Sequence, residues 1–281
     1  MSREIDRLPQ PCGRRKTKLI IASCSRTGTL GLYSALKILG YHPYHMVELV
    51  LNGGVTHMKL MIENVVANRN RLSGIKRYNR EDVEKWLADY DCLIEIPSYL
   101  GIDVLEEYAA DPDVQFILTE RDPGAWARSV NNTAGRIVTM AATFPSSVLR
   151  HFNRSLGVFF HLNELVYWAV SEATNMDNPD NEACLRRSYI EYIQTVKQIL
   201  PKDRTLVIRL EDGLGWEQIC PFLGVPIPKE DYPKPNDPKM FEEISETLLR
   251  PWVKAAMVRL GMFVVSTLGV VGYLGWRYCR K

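Results

Sequence analysis

Apolar and polar positions alternate between two rhythms along the chain. Lys18-Leu-Ile-Ile-Ala-Ser23 is a continuous β-branched apolar run, the pattern of a strand buried on both faces. Cys92-Leu-Ile-Glu-Ile96, ended by Pro97, Val114-Gln-Phe-Ile-Leu-Thr119 and Thr205-Leu-Val-Ile-Arg209 repeat it. Between these runs the spacing is helical. Thr29 to Leu39 predicts a helix stopped by Gly40, and 46–70 reads as helical. Asn79 stands as an N-cap before a helix that continues from Val83 to Tyr90. Further helices are predicted over 102–110, 125–132, within the aromatic-rich segment 135–175, over 183–200 and over 216–223. Residues 225–238 carry five prolines and read as a loop. Strands separated by helices predict an α/β fold of three layers: a mostly parallel sheet with helices on both faces.

The two ends differ from the middle. Residues 1–16 are polar and basic, without an apolar run for a secretory signal, and read as a flexible lead-in. From Leu260 to Trp276 there are 17 residues and no charge. As a helix they span ~25 Å, just short of a ~30 Å hydrocarbon core. Extension back through Ala255, with Arg259 snorkelling, closes the gap, and Tyr273 and Trp276 suit an interfacial belt. The competing reading is a core helix, which the glycines of this run would weaken in water. The expected organisation is a domain over 17–250, a transmembrane helix over 255–276 and a short basic tail over 277–281. A single such span leaves the catalytic domain in the cytosol, where the sequons at Asn131 and Asn153 are chance matches.

Composition narrows the class. The 281 residues hold 35 Lys plus Arg against 33 Asp plus Glu, a net charge of +2. That balance gives no argument for nucleic-acid binding. The six cysteines include no CxxC pair, and the five histidines form no metal-ligand pattern, so no metal is expected.

Two loops carry candidate chemistry. Cys24-Ser-Arg-Thr-Gly28 lies between the first strand and its helix, hence at the carboxyl edge of a parallel sheet, where ligands bind. Thr27, Gly28 and Thr29 offer successive N–H groups at a helix N-terminus, and Arg26 adds a planar cation, a combination suited to phosphate or sulfate. The GxxxxGK[ST] pattern of a magnesium-dependent ATPase is absent. In Thr119-Glu-Arg-Asp-Pro-Gly-Ala-Trp-Ala-Arg-Ser129, Arg121 follows the third strand and Ser129 lies two turns into the next helix. Both could converge on one anion. The plainer readings are a turn, an Arg121 salt bridge to Glu120 or Asp122, and a surface serine.

These segments resemble the sulfotransferase-like P-loop proteins common in fungi. The resemblance rests on strand–Arg-Thr-Gly-Thr–helix, on Glu95-Ile96-Pro97, and on the Thr119 to Ser129 pattern. Tyr44-His45-Met46, Glu211 to Trp216, Cys220 to Pro226 and a Pro-x-x-Asn-Asp around Asn236 extend it over residues 17–240. It implies a P-loop sheet and use of 3′-phosphoadenosine 5′-phosphosulfate (PAPS). Residues Ser25, Arg26, Thr27, Gly28, Thr29 and Leu30 would hold the 5′-phosphosulfate, with Arg26 also catalytic; Arg121 and Ser129 would hold the 3′-phosphate. Glu95 matches the general base, on the expectation that burial raises its pKa. His45 is an alternative base. The acceptor expected is a hydroxyl of a lipophilic small molecule.

Ser23 and Ser25 depart from the family by standing where glycines are usual. They put a side chain where close backbone approach or positive φ is expected. Glu95-Ile96 replaces an Asp followed by an aromatic residue. Two rival readings follow. One is a repurposed enzyme of specialised metabolism that cyclises or eliminates without PAPS, its pocket built from Phe144, Phe152, Phe159, Phe160, Tyr167 and Trp168. The other is a membrane-tethered, non-catalytic binding module.

Overall fold

A computed structural model describes residues 2–233, 247 and 249–280. The motif around Asn236 and the second half of the proline-rich loop lie outside the described residues. Five parallel strands form one sheet in the order β2-β3-β1-β4-β5. They are β1 (Leu19–Ile21), β2 (Pro43–Tyr44), β3 (Cys92–Ile94), β4 (Gln115–Glu120) and β5 (Thr205–Arg209). The four predicted strands are present. β2 was not predicted, and its two residues explain why: there is no run to read, and proline is tolerated because β2 is an edge strand.

Alternate strand residues face opposite helical layers. Ile20, Leu93, Phe116 and Leu118 pack in the larger core. It includes residues of α2 (Met46–Leu51), α3 (Gly54–Arg69), α4 (Arg80–Trp86), α6 (Ile102–Ala109), α7 (Pro123–Val130), α10 (Arg154–Val170) and α11 (Asn181–Ile199). Leu19, Ile21, Cys92, Ile94, Ile117 and Ile208 face α1 (Thr29–Ile38) and α12 (Trp216–Leu223). Burial on both faces is why β1, β3 and β4 read as near-continuous apolar runs. Short helices α5 (Pro97–Leu100), α8 (Arg136–Ala142) and α9 (Ser146–Leu149) complete the domain, with a π-helical turn over Asn131–Gly135. Segment 46–70 is two helices, broken at Asn52-Gly53. Asn79 caps α4 through a capping box with Asp82.

The amino-terminal lead-in is not free. Ile5 is fully buried in the larger core. Arg3 makes a forked contact with Asp82 at 2.7 and 3.0 Å, the Glu4 N–H donates to Glu63 at 2.7 Å, and Lys85 donates to the Ile5 carbonyl. Ile5 and Leu8, two scattered apolar residues among charges, give no period to read, which is why 1–16 reads as flexible.

At the other end, α13 (Arg250–Cys279) is one continuous helix of 30 residues, long and apolar enough to cross a membrane. Its start is part of the domain. Leu249, Trp252, Val253, Ala256 and Leu260 pack against Ala141, Leu149, Leu156 and Phe160.

Candidate functional site

β1 sits centrally, and the chain passes from one side of it to the other between β3 and β4. This switch point opens a crevice at the carboxyl edge. The β1–α1 loop fills it. Its left-handed positions are Arg26 (φ 72°) and Gly28 (φ 86°), not Ser23 or Ser25. The expectation that these serines occupy positions needing glycine is therefore corrected. Gly28 is the one that cannot be replaced freely: a Cβ there would lie 3.0 Å from Leu210 and 3.1 Å from Leu214. Gly28 is also the N-cap of α1 and supplies no side-chain cap. The first-turn N–H groups of α1 are thus left for an anion.

Ser23 has a different task. The Gln115 N–H donates to the Lys18 carbonyl. Stepping two residues at a time, the same ladder would bring the Thr119 N–H to the Ala22 carbonyl. That carbonyl instead accepts from the Tyr192 hydroxyl at 3.0 Å. The buried Ser23 Oγ takes the Thr119 N–H at 2.7 Å and the Thr119 hydroxyl at 2.8 Å. Thr27 is turned inward as well, donating to the Cys24 carbonyl and meeting Thr119 Oγ1 at 2.8 Å. Its side chain positions the loop and does not line the cavity.

Glu95 also has positive φ, 55°, and is 3% exposed. Its Oε2 accepts from the Thr29 hydroxyl at 2.8 Å, and its Oε1 lies 3.1 Å from His45 Nε2. His45 Nδ1 accepts the Val47 N–H at 3.1 Å, which leaves the ring proton on Nε2, facing Glu95. Burial works to raise the Glu95 pKa. The His45 imidazole and hydrogen bonds from His45, Thr29 and Ser25 outweigh it and hold the carboxyl below its usual value. The expected upward shift is thereby corrected: three donors 50 to 70 residues upstream in the chain decide the direction.

Arg26, Arg121 and Ser129 do converge. Arg26 Nε donates to Ser129 Oγ at 3.2 Å, and Arg121 Nη1 donates to the Arg26 carbonyl at 3.0 Å. Among the described residues, neither guanidinium is bonded to a carboxylate. Burial lowers the Arg26 pKa, opposed by Glu95 and assisted by Arg121. All three residues, with Arg128, line a cleft of about 360 Å³. The Arg121 N–H is held by the Tyr189 hydroxyl at 2.8 Å, and Trp126 Nε1 donates to the Ser25 carbonyl at 2.8 Å. Trp126 and Thr119 belong to the segment already singled out. Tyr189 and Tyr192 gave no signal beyond helical spacing on α11.

A larger cavity of about 590 Å³ adjoins this cleft. Ser25, Arg26, Gly28, Thr29, Leu30, His45, Glu95 and Arg121 line its polar end. Met46, Val50, Val130, Ile137, Phe159 and Val170 are among the apolar residues of its remaining wall. Of the six aromatic residues expected to build a pocket, Phe159 and Tyr167 line it. Phe160 is buried in the core against α13, Phe152 packs there too, and Phe144 is exposed.

A family model described as a sulfotransferase domain matches residues 18–241. The chain is similar to "Ava biosynthesis cluster protein M" of Aspergillus versicolor, with 31% identity over 225 residues, covering 77% of this chain and 79% of that protein. It is also similar to the crystal structure of a sulfotransferase from Alicyclobacillus acidocaldarius. There the identity is 15% and the TM-score 0.43, over 87% of this chain and 95% of that one. The family match spans well over half of the chain and is joined by that fungal relative, and the chain accordingly belongs to the sulfotransferase domain family.

Proposed function

We propose that this chain is a membrane-anchored sulfotransferase that moves a sulfuryl group from PAPS to a hydroxyl of a lipophilic acceptor. The observation that carries the reading is the Arg26–Arg121–Ser129 constellation: two cations without a carboxylate partner among the described residues, held together at the carboxyl edge beside N–H groups that have no side-chain cap. The residues present suit a ligand with two anionic groups. Ser25 to Leu30 would hold the phosphosulfate, and Arg121 and Ser129 the 3′-phosphate.

PAPS, when bound, supplies the sulfuryl group. The chain's own residues then have separable tasks. Arg26 and the first-turn N–H groups of α1 neutralise charge growing on the departing phosphate oxygen, fixed in place before the reaction begins. Glu95 accepts the proton of the acceptor hydroxyl. His45 is the poorer base, because its Nδ1 lone pair is taken by the Val47 N–H and its Nε2 carries a proton. It orients Glu95 instead. The apolar wall of the larger cavity receives the acceptor's body, and α13 holds the domain at a membrane.

The test is a calorimetric titration of the full chain in detergent micelles with 3′-phosphoadenosine 5′-phosphate, using ATP and NAD as controls. Selective binding at micromolar Kd, about −8 kcal/mol, is expected. Arg121→Ala should weaken it about 10- to 150-fold, since a charge-assisted contact contributes ~1.5–3 kcal/mol. No binding by the folded chain would refute the reading and direct attention to donor-free metabolite conversion.

A further inference from the structure

α13 does not simply leave the domain. The Arg259 guanidinium donates to the Phe152 carbonyl at 3.2 Å, and the Phe152 and Phe263 rings lie 5.7 Å apart. Phe263 belongs to the uncharged run that begins at Leu260. A helix rises ~6 Å from residue 259 to residue 263, about the depth of one headgroup layer. A residue of the domain therefore sits at the level where the span would enter hydrocarbon. Around it, Ala141 and Leu149 pack on Ala256 of α13. Phe144 lies between these two anchored positions in the chain and is 83% exposed. Trp252, on the same helix, lies 6.1 Å from Phe159, and Phe159 lines the larger cavity.

We propose that the surface from Met140 to Phe152 is a membrane-contact face. Phe144 enters the boundary between headgroups and acyl chains, and the Phe159–Trp252 wall of the cavity is held beside lipid. The occupant is a bilayer rather than a protein because the face is continuous with α13, the one helix among the described residues that is long and apolar enough to cross a membrane. An exposed phenyl ring at that level is the side chain such a boundary accepts. The face also gives the lipophilic acceptor a route into the cavity from the membrane side. That consequence rests on the membrane-bound sulfotransferase reading above.

Depth measurements test it without requiring turnover. The full chain carrying Cys12→Ser and Cys279→Ser is given one label site at a time, by Phe144→Cys, Ile38→Cys or Leu268→Cys. Each site carries a nitrobenzoxadiazole label, and the protein is reconstituted in phosphatidylcholine vesicles with or without dibrominated lipid. Ile38 is on α1, on the other face of the sheet, and Leu268 is in the uncharged run. Brominated lipid should quench the labels at 144 and 268 at least twofold and leave the label at 38 unchanged. A label at 144 that behaves like the one at 38 would overturn the proposal. So would a label at 144 shielded from water but insensitive to bromine, which would mean a protein neighbour. So would an unquenched label at 268, which would remove the span itself. Quenching reads depth alone, so failure to bind 3′-phosphoadenosine 5′-phosphate would leave these results standing.

Discussion

Ser23 offers a sharp test of how this loop is held. Ser23→Ala removes the acceptor of the Thr119 N–H and of the Thr119 hydroxyl. The hydroxyl has Thr27 as a second partner at 2.8 Å, so one buried N–H is orphaned. A buried unsatisfied donor costs about 1–3 kcal/mol. For a domain of this size that lowers Tm by about 2–12 °C. Ser23→Gly, which restores the residue usual in the family, orphans the same N–H. It also adds about 0.5–1 kcal/mol of backbone freedom lost on folding, for a total of about 1.5–4 kcal/mol. Thermal unfolding of the three proteins in one detergent at pH 7 should therefore rank wild type above Ala, and Ala at or above Gly. The reasoning is refuted if Ser23→Gly matches or exceeds wild type. That outcome would mean the loop needs glycine's conformational range at this position more than it needs the hydroxyl.

Further outcomes follow from the carboxylate and from the amino terminus. Glu95→Gln should lower turnover of an identified acceptor by about 10²–10⁴-fold, while affinity for 3′-phosphoadenosine 5′-phosphate stays within about threefold; equal loss of both would make Glu95 structural. The folded-state pKa of Glu95 is depressed. Its contribution to stability is therefore present above the unfolded value of about 4.3 and is lost as pH falls through the folded one. Urea midpoints measured from pH 6 down to pH 3 should fall less steeply in Glu95→Gln, and parallel slopes would contradict the assignment. Ile5→Ala should cost about 2–5 kcal/mol, as for other fully buried isoleucines, whereas a loose lead-in would show no change.

What the sequence made legible was whatever it wrote locally. The β-branched runs predicted four strands, three of which (β1, β3 and β4) are buried on both faces, and Arg121 and Ser129 could be placed on one cleft because a strand end and a helix turn set their directions. The Glu95 pKa was misjudged because its decisive partner, His45, is brought there by β2 lying beside β3. The serines of the loop were misjudged because φ is a property of the fold: the left-handed turn falls on Arg26, a residue type that does not advertise it. Ile5 was missed because it and Leu8 are too few and too scattered to show a periodicity.

The fastened amino terminus also constrains how the chain is made. Arg3 and its partner Asp82 are 79 residues apart. At roughly 5–20 residues per second, that interval takes about 4–16 s of synthesis. Throughout it Ile5 lacks its complete core, because Val83 and Trp86 are still to be translated. Arg3, Glu4 and Ile5 are thus among the residues that must wait for a later part of the chain. A bulky fusion placed ahead of them would burden this closure while leaving every residue around Arg26 and Glu95 untouched.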